Sequence, residues 1–321
     1  RLRKDNHFGE VMPSRLFLQI LNHLIEIKAI PKSRIIDLYN WGEPFLNPEI
    51  NKILEILKEK NLQAGLSSNF IFLPNFDKQL LSVINNITFS LSGFSQKSYG
   101  RIHGASLNEV LNNFEKLYKD LRKYSPKTKI KIAWHRYSFN EDEFWEAYRY
   151  FNRPGIVVCP VIAYINDNIK FRAFLKNKLP KEDLAKIEQD ILVDRIDKGI
   201  MYYKRKSQNY HCPQWDYIVI SEAGELLLCC GLTRYDYVLG NVLDMTLEEI
   251  FDKKLADPYC DECVHSGLAG FAHSPSISFP AGGDIKPKIS YKFRRFISET
   301  ASLIKKLPGG ERVVATIKNH I

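Results

Sequence analysis

The sequence predicts an α/β protein in which helices cover a parallel sheet, followed by a small cysteine-rich α+β domain. Two observations predict this architecture. Short β-rich runs alternate with amphipathic helical stretches through the first half of the chain, and five of the six cysteines fall between residues 212 and 263. Strands separated by helices are typical of βαβ units, whose strands run parallel.

The expected elements follow from the spacing of apolar residues. Apolar residues recur every three or four positions from Ser14 to Lys28, which indicates a helix. A second helix is expected to open at Asn47-Pro48, and a third at Ser106, where Ser106-x-x-Glu109 has the pattern of a capping box. The predicted strands are residues 34–40, 63–67, 87–91, 129–134 and 156–162.

Size and composition are those of a globular protein. The chain has 321 residues, of which 45% are hydrophobic and 26% are charged. No apolar run reaches the ~20 residues that span a bilayer, and no signal peptide opens the chain, so we expect a cytoplasmic protein. The sequence has no zinc-finger, recognition-helix or RNA-binding signature, so we expect no nucleic-acid partner.

Glycines and small polar side chains follow three successive predicted strands. These segments are Trp41-Gly42-Glu43-Pro44, Ser67-Ser68-Asn69 and Ser90-Leu91-Ser92-Gly93. Parallel sheets bind ligands at the carboxyl ends of their strands. Glycine lets the backbone approach a ligand, a carboxylate suits an ammonium group, and hydroxyls suit a sugar or a carboxylate. Each segment taken alone is also consistent with an ordinary turn.

The cysteine-rich region carries candidate metal ligands. They are Cys212, Cys229, Cys260 and Cys263, with Cys230 as an alternative to Cys229. Four thiolates that include a C-x2-C pair suit either zinc or an iron–sulfur cluster, and spacing alone leaves both open. In a cytosolic-looking chain, such spacing favours metal or redox chemistry over disulfides. Cys159 lies in an apolar strand, and we expect it in the core.

Two further regions differ from this pattern. Residues 166–210 are rich in charge, are expected to contain a helix over 181–196, and are interpreted as a connection between domains. Residues 284–321 hold nine Lys or Arg against three Asp or Glu, in a chain of net charge +9. Such a basic tail suits either a solvated helical face or an acidic partner.

Taken together, the strand-end motifs resemble a radical S-adenosylmethionine (SAM) core. Trp41-Gly42-Glu43-Pro44 is similar to the family's Gly-Gly-Glu-type motif, whose backbone holds the amino group of SAM. Ser68-Asn69 resembles a Thr-Asn-Gly segment with Phe70 in place of glycine, and Ser90-Leu91-Ser92-Gly93 resembles Ser-x-Asp-Gly with Ser92 in place of aspartate. The resemblance implies that the SAM-binding residues are Gly42, Glu43, Pro44, Ser68, Asn69, Ser90, Ser92 and Arg136.

The cysteine-rich region resembles the auxiliary-cluster domain called SPASM or twitch. The matching segments are Cys212-Pro-x-Trp215, Gly224-x4-Cys229, Gly240-Asn241 and Cys260-x2-Cys263. The resemblance implies one auxiliary [4Fe–4S] cluster bound by Cys212, Cys229, Cys260 and Cys263, and it favours this cluster over zinc. The full pattern continues with further cysteines that this sequence lacks, so the region resembles the single-cluster form.

The resemblance also implies a domain plan. Residues 1–165 would form a partial (β/α)6 TIM-like barrel lacking its first strand, 166–210 a connecting segment, 211–267 the auxiliary-cluster domain, and 268–321 a basic amphipathic tail. The family's catalytic cluster sits on a C-x3-C-x2-C loop that this sequence does not contain. Because the first residue is Arg1, we expect an N-terminally truncated chain that is inactive as given.

The implied activity is that of a radical SAM oxidoreductase-type enzyme. A second, catalytic [4Fe–4S] cluster on the missing loop would cleave SAM to a 5′-deoxyadenosyl radical. That radical would abstract hydrogen from a peptide or carbohydrate-like substrate, with an electron donor such as flavodoxin or ferredoxin. Two alternatives stay open, namely a degenerate binding or scaffold member of the family and a zinc-stabilised α/β protein of another family.

Overall fold

The computed structural model describes residues 11–165, 168–232 and 237–273. Its helices are α1 (Ser14–Glu26), α2 (Ile50–Glu59), α3 (Gln96–His103), α4 (Leu107–Tyr124), α5 (Phe144–Phe151), α6 (Asn168–Leu175), α7 (Lys181–Asp190), α8 (Val193–Lys204), α9 (Leu247–Leu255), α10 (Pro258–His265) and α11 (Leu268–His273). Its strands are β1 (Ile35–Asp37), β2 (Gln63–Ser68), β3 (Ile84–Leu91), β4 (Lys129–Arg136), β5 (Ile156–Ile162), β6 (Val219–Ile220), β7 (Glu225–Leu227) and β8 (Val238–Asn241).

The first five strands form one parallel sheet in the order β1-β2-β3-β4-β5. Helix α2 connects β1 to β2, α3 and α4 connect β3 to β4, and α5 connects β4 to β5, while a short 3-10 helix at Leu81–Val83 precedes β3. The predicted α/β class is confirmed, and a sequential parallel order is the arrangement of a partial (β/α) barrel. All five carboxyl ends lie at one edge of the sheet, so the strand-end motifs are brought to the same side of the molecule.

The two faces of the sheet differ in polarity. On β4, Ile132 and Trp134 are fully buried against the helices and belong to the main core. Lys131 and His135 lie on the opposite, inner face, because successive strand residues alternate. Gly65 on β2 keeps room on this inner face: a Cβ there would lie 2.0 Å from Asp37 Oδ1 and 3.1 Å from Asn86 Oδ1.

The cysteine-rich region forms a small α+β unit, as predicted. β6, β7 and β8 make an antiparallel sheet, and α9 and α10 follow it. The capping box expected at the start of α9 is present, since Thr246 Oγ1 accepts from the Glu249 amide at 3.2 Å and Glu249 Oε2 accepts from the Thr246 amide at 2.8 Å. Short strands therefore surround the turns that hold the cysteines.

Helix α1 belongs to both cores. Phe17 and Leu21 pack into the core of the parallel sheet. Ile20, on another side of the helix, packs with Leu226 and other residues of the small sheet. His23 Nε2 lies 2.9 Å from the carbonyl oxygen of Met245. The two sheets are thus joined through one helix.

The connecting region differs from the sequence expectation. The single helix expected over 181–196 is two helices, α7 and α8, because the backbone is extended at Ile191. Helix α11 begins at Leu268, the first residue of the predicted tail, and it packs on α8 and buries Phe271 at 3% exposure. The basic tail beyond 273 lies outside the described residues. Within the described ranges, no helix is long and apolar enough to cross a bilayer.

Candidate functional site

Glu43 joins the ends of the first two strands of the parallel sheet. Its carboxylate accepts from the Phe45 amide at 3.2 Å and from the Asn69 amide at 3.0 Å. Gly42 beside it is exposed, and a Cβ there would meet nothing within 4 Å. Pro44, in contrast, is buried at the start of a short 3-10 helix. The turn therefore presents open backbone at Gly42 while Glu43 is held in place by main-chain donors.

Ser68 and Asn69 shape the turn after β2. Ser68 is 2% exposed, and its Oγ accepts from the Phe70 amide at 2.9 Å. Asn69 Oδ1 accepts from the Ile71 amide at 3.0 Å. Phe70 has φ of +59°, in the left-handed region that glycine adopts without penalty. Phe70 therefore has a backbone conformation that glycine, the residue of the resembled Thr-Asn-Gly segment, would adopt freely.

The remaining predicted SAM residues lie at the carboxyl ends of β3 and β4. Ser90 lies on the inner face, opposite Ala133 of β4. Ser92 is 2% exposed, and its hydroxyl has no hydrogen-bond partner among the described residues. Arg136 ends β4 and forms a two-point ion pair with Glu141, with Nε 2.7 Å from Oε1. Arg136 would have to exchange this carboxylate for a ligand, so its role in SAM binding stays a prediction.

Sequence reasoning missed a pair of histidines near the carboxyl edge of the sheet. His103, at the end of α3, stacks on Tyr99 at 4.6 Å between ring centroids, and Tyr99 Oη donates to the Asn69 carbonyl at 3.0 Å. His103 and His135 interact electrostatically, and burial lowers the pKa of each to about 4. The sequence did contain a signal for His135. Apolar residues alternate along β4, and because Ile132 and Trp134 face the helices, His135 is expected on the opposite face of the sheet.

These histidines predict an acid-sensitive fold. Their folded-state pKa values lie below the unfolded value of 6.5, so the unfolded chain binds more protons between pH 6.5 and 4. Stability is expected to be full above pH 6.5 and to fall through that window, by on the order of 2 kcal/mol per histidine. Urea unfolding from pH 7.5 to 4.5 measures this, and His135→Gln should show a shallower pH dependence. An identical pH dependence would contradict the assignment.

Three segments of the chain carry the five cysteines of the small domain. Cys212 precedes a 3-10 helix, Cys229 and Cys230 follow β7, and Cys260 and Cys263 lie three residues apart on α10. Cys212 packs with Cys263 in one apolar group. Cys229, Cys260 and Cys263 each pack against a second apolar group, formed by Leu228, Leu232 and Tyr259. Among the described residues, no three His, Cys, Asp or Glu side chains are arranged around a single metal ion.

Burial dominates the electrostatics of these thiols. It raises the pKa of Cys263 to about 12 and that of Cys230 to about 11, and it also raises the pKa values of the other three. Thiols in such surroundings stay protonated until a metal displaces the proton. The Trp215 indole lies beside Cys260 and acts in the opposite direction on its pKa. Its Nε1 is buried without an acceptor at hydrogen-bond distance among the described residues.

Lys254 is the second functional candidate that sequence reasoning missed. It is 1% exposed, and its Nζ donates to the Tyr217 carbonyl. Burial lowers its pKa, and four of the cysteines act against that effect. Its position four residues after the buried Ile250 was the available signal, because i and i+4 share a helix face.

The structure distinguishes Cys229 from Cys230. Cys229 interacts electrostatically with both cysteines of α10, whereas the Cys230 thiol interacts with Cys212 and with the hydroxyl of Tyr39. We therefore expect Cys229→Ala to lose most of the bound iron and Cys230→Ala to retain it. Iron and sulfide analysis of both variants after identical reconstitution measures this difference. Loss of iron in Cys230→Ala alone would exchange the two roles.

The donor set fits an iron–sulfur cluster. The side chains that converge are soft sulfur ligands in apolar surroundings, a buried indole N–H without an acceptor beside one of them, and a buried ammonium group. Iron–sulfur clusters take four thiolates, and hydrogen bonds to their sulfurs tune them. The arrangement can therefore hold and polarise a metal–sulfur centre.

Comparison with known proteins agrees with this chemistry. Residues 212–264 match SPASM, described as an iron-sulfur cluster-binding domain, which confirms the predicted domain type. Among curated proteins, comparison of the sequence finds no match. Structures with a similar fold include native anSMEcpe with bound AdoMet, which is 16% identical in sequence with a TM-score of 0.47. The alignment covers 77% of this chain and 74% of that chain. Another is Streptococcus suis SuiB bound to S-adenosylmethionine, which is 12% identical with a TM-score of 0.47. That alignment covers 85% of this chain and 70% of that chain.

Proposed function

We propose that this chain is part of a radical SAM enzyme of the SPASM type, with an auxiliary [4Fe–4S] cluster in the cysteine-rich domain. The observation that carries the proposal is the match of residues 212–264 to an iron-sulfur cluster-binding domain. The parallel sheet with Gly42, Glu43, Ser68 and Asn69 at its carboxyl edge supports a SAM site on the same chain. Its substrate would be a peptide or a carbohydrate-like molecule, and a flavodoxin or ferredoxin would donate electrons.

The chain's own residues would bind and orient the cofactors. The open backbone at Gly42 would receive the amino group of SAM, while Glu43 fixes the turn through the Phe45 and Asn69 amides. Ser90 on the inner face and the unpartnered hydroxyl of Ser92 would offer hydrogen bonds nearby. Cys212, Cys229, Cys260 and Cys263 would hold the auxiliary cluster. When bound, SAM and a catalytic cluster supply a 5′-deoxyadenosyl radical, which is cofactor chemistry that the protein positions and shields.

The first test of the proposal is the metal and sulfide content of the protein. The full chain, purified anaerobically and reconstituted with iron and sulfide, is expected to hold about four irons and four labile sulfides, as one [4Fe–4S] cluster requires. Zinc without labile sulfide would replace the proposal with the zinc-stabilised α/β alternative. Isothermal titration with SAM then tests the strand-end site separately, with Glu43→Gln as the variant expected to weaken binding.

The gene sequence upstream of this chain tests whether the intact protein has a catalytic cluster. We expect the reading frame upstream of the Arg1 codon to encode a strand followed by C-x3-C-x2-C within a few tens of residues. A start codon nearby with no such triplet would favour the degenerate binding or scaffold alternative. SAM binding without SAM cleavage would then be the expected behaviour of the protein.

A further inference from the structure

Lys254 is buried where a leucine would be expected. It is 1% exposed, whereas the next residue on α9, Leu255, is 58% exposed. The helix therefore turns an apolar side chain to solvent and a cation into the domain. Lysine is almost never fully buried unless it is paired, and an unpaired buried charge costs far more than an exposed one. An anion beside Lys254 would account for this orientation.

In the part of the chain that the structure describes, the hydrogen-bond acceptor of Lys254 is a neutral carbonyl. Its Nζ donates one of three N–H groups to the Tyr217 carbonyl. Among the described residues, its charge-bearing neighbours are thiols and not carboxylates, and they are Cys229, Cys260, Cys212 and Cys230. The anion that Lys254 would face at this position is therefore a set of cluster-bound thiolates. Helix α9 also packs against the 3-10 helix that begins after Cys212, which brings Lys254 to the cysteines.

We propose that Lys254 is the internal counter-cation of the auxiliary cluster, which stabilises the negative charge of the bound cluster and raises its reduction potential. This inference rests on the proposed function, because it requires a cluster on Cys212, Cys229 and Cys260. Four thiolates leave an oxidised [4Fe–4S] centre with net negative charge, and one-electron reduction adds another. A nearby cation favours the reduced form, and net charge and hydrogen bonds are among the factors that set such potentials.

The test uses the full chain reconstituted with iron and sulfide. Lys254→Met removes the charge at similar length, Lys254→Gln removes it but keeps a donor for the Tyr217 carbonyl, and Lys254→Arg keeps the charge. Lys253→Met is the matched control, because Lys253 is exposed on the same helix and its Nζ donates to the Leu239 carbonyl. The readouts are the rate of iron removal by a chelator and the midpoint potential of the cluster, followed by electron paramagnetic resonance.

We expect both neutral variants to lose iron about tenfold faster and to have a more negative midpoint potential, as loss of a charge-assisted contact implies. Lys254→Arg and Lys253→Met should resemble wild type in both readouts. A purely structural role would change iron retention without this ordered shift in potential. If Lys254→Met does not fold, Lys254→Gln supplies the neutral comparison.

The two proposals fail in different ways. A wild-type chain that takes up no iron and sulfide overturns the cluster, and this inference with it. The role of Lys254 alone is overturned if the wild-type chain binds a cluster and the folded variants Lys254→Met and Lys254→Gln have the same iron retention and midpoint potential as wild type. An equal negative shift of the midpoint potential in Lys253→Met and Lys254→Met would also overturn it, because the effect would then not depend on burial of the lysine.

Discussion

Replacing Cys260 by alanine is expected to remove the bound cluster and to destabilise the cysteine-rich domain. Cys260 and Cys263 are presented together by α10, and both interact electrostatically with Cys229. A cluster left with three thiolates loses a bond that also ties α10 to the turns after β7 and before the 3-10 helix at Pro213–Trp215. Because metal binding is linked to folding, the loss should lower the free energy of unfolding by several kcal/mol, roughly.

Iron content, labile sulfide and far-UV circular dichroism measure the outcome for Cys260→Ala. We expect iron to fall to below about one per chain, while most helical signal stays, since most of the helices pack on the parallel sheet or in the connecting region. Cys159→Ala is the matched control, because Cys159 lies on β5 opposite Ala133, outside the cysteine groups of the small domain. Unchanged iron in Cys260→Ala would mean that the ligand assignment is wrong.

Replacing Phe70 should give an unusual order of stability, with glycine better tolerated than alanine. Phe70 is 1% exposed and packs against Phe89 and Phe45 at 4.8 and 5.2 Å between ring centroids. Its φ of +59° costs any side chain with a Cβ on the order of 1 kcal/mol. Phe70→Ala should therefore lose about 3–5 kcal/mol of stability. Phe70→Gly should lose about 1 kcal/mol less, since glycine adopts this conformation freely.

Urea unfolding of the two variants measures the order. Phe89→Ala and Phe89→Gly are the matched controls. They remove a comparable ring from the same aromatic cluster, at a residue that is buried at 0% exposure and has regular strand conformation on β3. There alanine should be more stable than glycine by about 0.5–1 kcal/mol. The same order at both positions would show that strain at Phe70 contributes nothing measurable.

The sequence predicted the periodic parts of the fold best. β5 has the predicted bounds, and α1 differs from the predicted 14–28 only at its end. The first strand is shorter than predicted, Ile35–Asp37, because residues 38–43 already form the loop that carries Glu43. The break between α7 and α8 could not be read from hydrophobic spacing, since the apolar pattern continues through Ile191.

The candidate sites were predicted unevenly, for physical reasons. Cysteine spacing is local, and it identified the thiols that the fold brings together. The ion pair of Arg136 with Glu141 depends on side-chain positions in the following turn, so only the place of Arg136 at a strand end could be predicted. The contacts of Lys254 and of the pair His103 and His135 join residues far apart in sequence, and only a structure reveals them.

Helix α1 makes the two halves of the protein difficult to separate. Because it buries Phe17 in one core and Ile20 in the other, a fragment without it would expose apolar surface on both sheets at once. A protease cut in the connecting region at 166–210 should therefore yield a nicked but associated complex and not two independent pieces. For the same reason, transplanting the cysteine-rich domain onto another scaffold would require carrying this helix along.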